Sequence, residues 1–217
     1  MKLNFWSSEK IIEKLKQSLQ QNNINITSTD TIPGLLANIT EKSFKKLNVI
    51  KKERENKPYL VLISSQQKIK DFVDPDALTP NIEFLIKNCW PGPVTIIFKA
   101  KQSLPDFLKS KENTIALRCP KHKNLLKLLE SFGGLFSTSA NISGQKSPTA
   151  LNEIDPTIIN QIDLFVLDEK DEKTLAKILP STLIDASKAK EGIIKIVREG
   201  QYKIEELEKY YGTKFEK

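Results

Sequence analysis

Hydroxyl, amide and cationic side chains gather in a few short segments of this 217-residue chain, each beside an apolar run. Ser28-Thr-Asp-Thr-Ile-Pro-Gly34 sets hydroxyls and a carboxylate in a loop tightened by Pro33 and Gly34. Lys52-Glu-Arg54, with Lys57 just beyond, puts cations at the end of a helical stretch. Thr114-Ile-Ala-Leu-Arg118 is an apolar strand ending in arginine, and a guanidinium there needs an anionic partner from the protein or from a ligand. Ser137-Thr-Ser-Ala-Asn-Ile-Ser-Gly144 offers four hydroxyls and an amide, donors suited to phosphate or carboxylate oxygens. Pro180-Ser-Thr182 and Arg198-Glu-Gly200 each add a hydroxyl or a guanidinium beside a further strand. Each segment also has a structural reading: a capped turn, cations that complement a helix dipole, a polar turn after a strand. Their joint order is more specific, and open α/β sheets place ligands at such strand ends.

The remaining composition narrows the chemistry. There is one histidine, His122, and two cysteines, Cys89 and Cys119, without a CxxC pattern. Those residues make neither a tetrahedral zinc site nor a Cys-His hydrolase, and the cysteines read as a reduced, buried pair. No GxSxG, GxxxxGK[ST] or GxGxxG occurs, which argues against a serine hydrolase, a P-loop and a dinucleotide fold. Lysine and arginine number 34 against 27 acids, a net charge of +7. Part of that excess is solvated lysine, and part is available to a nucleotide or nucleic acid. The arginines, Arg54, Arg118 and Arg198, all sit inside the segments above.

Elements that position these groups follow from periodicity. Ser8–Leu19 predicts an amphipathic helix with Ser7 or Ser8 as its cap, and Thr40 caps a second carrying Phe44, Leu47 and Ile50. Thr79-Pro80 starts a third helix, which stops at Trp90-Pro-Gly-Pro, a rigid segment read as scaffold. Asn124–Phe132, Pro156–Ile162 and Lys203–Tyr211 predict further helices, the last docking by Ile204, Leu207 and Tyr211. Strands are expected at Ile24–Thr27, Tyr59–Ile63, Val94–Phe98, Thr114–Arg118, Leu135–Thr138, Leu164–Leu167, Ser181–Asp185 and Ile193–Val197. Interleaved strands and helices mean an α/β fold in one domain. No apolar run approaches the ~18 residues that span a bilayer, and the N-terminus lacks a signal-peptide core, so a soluble, cytoplasmic protein is expected.

With its motifs in this order, the chain resembles the threonylcarbamoyl-AMP synthases, the YrdC-like domain. Thr29-Asp-Thr-Ile-Pro-Gly-Leu35, Lys52-x-Arg54, Trp90-Pro-Gly-Pro-Val-Thr95, Arg118-Cys-Pro, Ser139-Ala-Asn-Ile-Ser-Gly144, Pro180-Ser-Thr182 and Arg198-Glu-Gly200 carry the likeness, from about Ile11 to Gly200. The resemblance implies a twisted mixed parallel/antiparallel sheet with surrounding helices and a deep basic cavity. It implies a catalytic domain over residues 1–200 and a short C-terminal helical tail over 201–217. It further implies an ATP-dependent nucleotidyltransferase that joins L-threonine and bicarbonate into threonylcarbamoyl-adenylate with release of pyrophosphate, Mg²⁺ arriving with ATP. The product goes to a separate threonylcarbamoyl transferase that modifies tRNA.

By matching positions, Thr31, Arg118, Ser139 and Ser181 would hold threonine and its carbamate. Arg54, Lys57, Thr114, Asn141, Thr149 and Arg198 would hold ATP. Lys52 and Arg54 would be the catalytic cations, and the site has no resident metal. The chain departs from the pattern at Pro33, often aromatic in the family, at Ser28, commonly proline, and at Leu62, a histidine in longer members. The alternative is a non-catalytic module that uses the same cavity for tRNA or double-stranded RNA. A carbamoyl-transfer relative is a third reading, although such domains come embedded in long chains with zinc-finger-like segments.

Overall fold

A computed structural model describes residues 3–52, 58–148, 151–169 and 179–217. Within them ten strands form one sheet: β1 (Leu3–Phe5), β2 (Asn25–Thr27), β3 (Gly34–Asn38), β4 (Leu60–Leu62), β5 (Val94–Lys99), β6 (Thr114–Arg118), β7 (Leu135–Ser139), β8 (Phe165–Leu167), β9 (Thr182–Asp185) and β10 (Lys195–Arg198). Their order across the sheet is β1-β8-β2-β3-β7-β4-β6-β5-β9-β10. The pairs β1–β8, β2–β8, β4–β6 and β5–β9 are parallel and the others antiparallel, so the sheet is mixed, as expected.

The helices are α1 (Ile11–Gln20), α2 (Glu41–Ile50), α3 (Pro80–Cys89), α4 (Lys123–Leu129), α5 (Pro156–Ile159) and α6 (Ile204–Tyr211). Thr40 Oγ1 accepts from the Ser43 amide at 3.2 Å and Thr79 Oγ1 from the Ile82 amide at 3.4 Å, so both caps stand where the sequence put them. The start of α1 differs: Lys10 occupies the cap position without a side-chain bond, because Ser8 is used in a turn, its carbonyl accepting from Ile11. His122 caps α4, its Nδ1 accepting from the Leu125 amide at 3.1 Å, while Nε2 lies 3.2 Å from Asp168. Two strands escaped the periodicity. β3 is a central strand with Gly34–Ala37 all buried, and such strands lose the polar–apolar alternation that marks a half-exposed one. β1 is three residues long at the sheet margin.

Apolar residues fill both faces. Leu36, Leu62, Leu135 and Val166 pack against Ile11, Leu15 and Leu19 of α1 and Leu125, Leu128 and Leu129 of α4. On the other face Leu35, Val61, Ile96, Leu117, Phe136 and Ile184 join Leu47 of α2 and Ile82 and Leu85 of α3 in the larger core. Ile204, Leu207 and Tyr211 of α6 are buried in that same core, as their spacing predicts, and the Tyr211 hydroxyl donates to the Ala189 carbonyl at 3.2 Å.

Candidate active site

Strand register builds the site. On β6 the side chains of Thr114, Ala116 and Arg118 point one way and those of Ile115 and Leu117 the other, into the larger core. Cross-strand partners share a face, so Ala116↔Ile97 and Leu183↔Thr95 extend the first set onto β5 and β9, and Leu60↔Ser137 and Gly34↔Ser139 extend it over β4, β7 and β3. Together these residues line a cavity of about 700 Å³, a volume typical of small-molecule sites. The cavity thus lies along a face of the sheet, beyond the part that α1 and α4 cover, rather than only at strand ends. Small or polar residues alternate with large apolar ones on β6 because one face must stay open while the other packs.

Six of the site residues expected from the sequence line this cavity: Thr31, Thr114, Arg118, Ser139, Ser181 and Arg198. Arg118 is 4% exposed. Its Nη1 donates to Thr31 Oγ1 at 2.8 Å, its Nε to the Gly92 carbonyl at 3.3 Å, and its Nη2 to Asp30 Oδ1. Burial works against the Arg118 charge and Asp30 works for it. The anionic partner that this arginine demanded is therefore in the protein, at the centre of the Thr-Asp-Thr loop. Asp30 Oδ2 is buried with no partner among the described residues. Thr31 Oγ1 also lies 3.0 Å from Thr29 Oγ1, which fixes the loop against the guanidinium.

Arg198 enters from the sheet margin. Its Nε and Nη2 donate to the Ser181 carbonyl at 3.2 and 2.9 Å, and Nη2 approaches Ser181 Oγ at 3.3 Å. Ser181 Oγ in turn lies 2.8 Å from Thr95 Oγ1. Gly200 makes this approach feasible: a Cβ there would sit 2.4 Å from the Pro180 carbonyl oxygen and 2.5 Å from the Ser181–Thr182 backbone. Arg198 further disfavours the charge on Arg118, so two guanidiniums share one cavity and an anion between them would relieve both. Lys188 adds a third cation to the lining, and Glu112 and Asp185 supply carboxylates. Thr114 Oγ1 pairs with Ser110 Oγ at 2.8 Å.

The remaining expected residues fall elsewhere. Asn141 stands behind Ser139, whose Oγ donates to Asn141 Oδ1. Lys52 is exposed and absent from the lining. Arg54, Lys57 and Thr149 lie outside the described residues. The residue that sequence reading missed is Lys51, which is 2% exposed. Its Nζ donates to the Ser139 carbonyl at 2.9 Å, to Asn141 Oδ1 at 3.0 Å and to the Asn141 carbonyl. Two adjacent lysines at a helix end carry no sequence signal for which turns inward. Neither cysteine contributes a nucleophile: both are free and buried, and burial pushes each thiol up to about 12.

A family model named Sua5_yciO_yrdC and described as telomere recombination matches residues 17–200. A Methanocaldococcus jannaschii protein provisionally named a threonylcarbamoyl-AMP synthase is 36% identical over 154 residues, 70% of this chain and 71% of its own. The threonylcarbamoyl-AMP synthase of Yersinia enterocolitica is 30% identical over 64% of this chain and 74% of its own. The crystal structure of Pyrococcus abyssi Sua5 complexed with L-threonine superposes with a TM-score of 0.80 at 26% identity, covering 94% of this chain; the chain spans 58% of that longer protein. With the family model spanning residues 17–200 and a mixed sheet that superposes on a solved member, the chain belongs to the Sua5/YciO/YrdC family.

Proposed function

We propose that this chain is an ATP-dependent L-threonylcarbamoyl-adenylate synthase, acting first in the threonylcarbamoyladenosine modification of tRNA. One observation carries the reading: a single cavity face presents two guanidiniums, Arg118 and Arg198, among the hydroxyls of Thr31, Thr114, Ser139 and Ser181. Its relatives bear the name of that enzyme, and P. abyssi Sua5 has been crystallised with L-threonine.

The chemistry asks for no enzyme nucleophile. Threonine's amine attacks bicarbonate, losing water, and the carbamate oxygen then attacks the α-phosphorus of ATP while pyrophosphate leaves. Arg118 holds the threonine carboxylate or carbamate, where a planar fork suits paired oxygens better than an ammonium does. Thr31, Ser139 and Ser181 orient it, and Arg198 and Thr114 hold the nucleotide, with Arg54, Lys57, Asn141 and Thr149 expected to add to its grip; Lys52, exposed and outside the lining, takes no part in it. Positioning and charge stabilisation supply most of the acceleration in such phosphorus transfers. Seating the carbamate within the cavity would also shield it from water. Mg²⁺ fits as an ion carried by ATP, bound mainly by phosphate and water oxygens. Asp185 and Glu112 are the lining carboxylates of suitable hard-oxygen type, and the ion would offset phosphate charge.

The adenylate is a reactive mixed anhydride, so a separate transferase would consume it, and a cytoplasmic setting alongside tRNA belongs to the proposal. Among the described residues no helix is long and apolar enough to cross a membrane. Calorimetry tests the shared cavity: ATP and L-threonine should bind together, each leaving a place for the other. Mutual exclusion would contradict the reading, and RNA binding with steep salt dependence but no pyrophosphate release would favour the RNA-binding alternative.

A further inference from the structure

Lys51 and Lys52 divide at the end of α2. Lys52 has φ 51°, a left-handed turn that sends its side chain to solvent, while Lys51 runs inward. An ammonium has three donors, and those of Lys51 meet three acceptors of one loop: the Ser139 carbonyl, the Asn141 carbonyl and Asn141 Oδ1. The Lys51 carbonyl accepts from the Ser143 amide at 3.2 Å, so main chain and side chain both grip the segment 139–143. Asn141 Oδ1 also receives the Ser139 hydroxyl, which fixes the amide with its oxygen toward the ammonium and its nitrogen toward the Gln145 carbonyl. With its proton committed to Asn141, the Ser139 hydroxyl turns its lone pairs outward, and Ser139 lines the cavity.

We infer that Lys51, rather than its neighbour Lys52, is the positioning residue of the Ser139–Asn141 loop: its buried ammonium holds that loop in the shape that receives the amino acid. This inference rests on the synthase reading. Without the ammonium, the Ser139 and Asn141 carbonyls lose the lysine donor, Asn141 Oδ1 is left with the Ser139 hydroxyl, and the loop has no other cation among its described hydrogen bonds to replace it. Because the ammonium acts through Ser139, its removal weakens substrate binding more than turnover.

The test uses the full chain with Lys51→Met and Lys51→Arg, measuring pyrophosphate release while threonine is varied. Lys51→Met should raise the KM for threonine tenfold or more while kcat changes less than threefold, with Lys51→Arg recovering part of the loss. Ser139→Ala should cost much less in the Lys51→Met background than in the wild type, since coupled residues are non-additive. A KM within twofold of wild type, a fall in kcat alone, or a Ser139→Ala effect equal in both backgrounds would overturn the inference. If the wild type releases no pyrophosphate, the synthase reading is what fails, and amide hydrogen exchange then decides this one. Exchange at residues 139–143 at least tenfold faster in Lys51→Met supports it, and unchanged exchange overturns it. Should Lys51→Met not fold, Lys51→Gln and Lys51→Arg carry the same comparisons.

Discussion

At the scale of single residues, the buried pair Asp30–Arg118 shows what the sequence discloses and what it withholds. An arginine closing an apolar strand announces a charge that must be paired, but only the folded chain brings Asp30 to it across 88 positions. Lys51 was hidden for the same reason: its partners are contributed by β7 and the loop that follows. Arg118→Ala would strand the Asp30 carboxylate, a loss of about 3–5 kcal/mol for one partner of a buried pair, read as a lower urea midpoint. Arg118→Lys should fold yet bind threonine at least tenfold more weakly by calorimetry, because an ammonium lacks the fork. Pro33 lines the cavity, and serine, one methyl smaller than threonine, should turn over roughly 10–200-fold less efficiently in direct competition. Equal use of both amino acids would refute a fitted methyl pocket. The thiols give a pH test. Each has a folded pKa raised from 9.0 to about 12 by burial. The stability this contributes is complete below the unfolded value and lost as pH climbs toward the folded one. Wild type should therefore lose stability relative to Cys89→Ala between about pH 9 and 12, and both thiols should resist iodoacetamide at neutral pH until urea unfolds the chain.

Elements were legible where local chemistry decides them. Thr40, Thr79 and the apolar stripes of α1, α2, α3 and α6 are visible in any eleven-residue window, whereas β3 is recognisable only through its partners β2 and β7. The close pass of Gly200 over Ser181 is likewise a tertiary fact. Gly200→Ala would drive a Cβ into backbone that no flexible side chain can yield, displacing Arg198 from Ser181. A fall in thermal midpoint together with a raised KM for ATP is the expected result. The tail is more than an appendage, for Glu216 exchanges backbone hydrogen bonds with Ile194 and Ile196 beside β10, at 2.8 and 2.7 Å. Deleting residues 201–217 should lower the thermal midpoint and expose apolar surface to a dye such as ANS. A truncated chain as stable and as active as the whole would show the division at residue 200 to be a true domain edge.

Across the whole molecule, function follows from an incomplete covering of one sheet. Helices α1 and α4 shield part of a face and leave the rest to Thr95, Ala116, Arg118, Ser137 and Leu183, which gather the polar segments that the sequence scatters from residue 28 to residue 200. The order of those segments could be read in advance; their meeting on a face instead of only at strand ends could not, since register is a property of paired strands. The most direct measurement is mass spectrometry of a reaction containing ATP, L-threonine and ¹³C-bicarbonate. The expected product is an AMP-linked threonine carrying one ¹³C atom, with equimolar pyrophosphate, that disappears when any substrate is omitted. Pyrophosphate formed without threonine, or an adenylate lacking the labelled carbon, would contradict it.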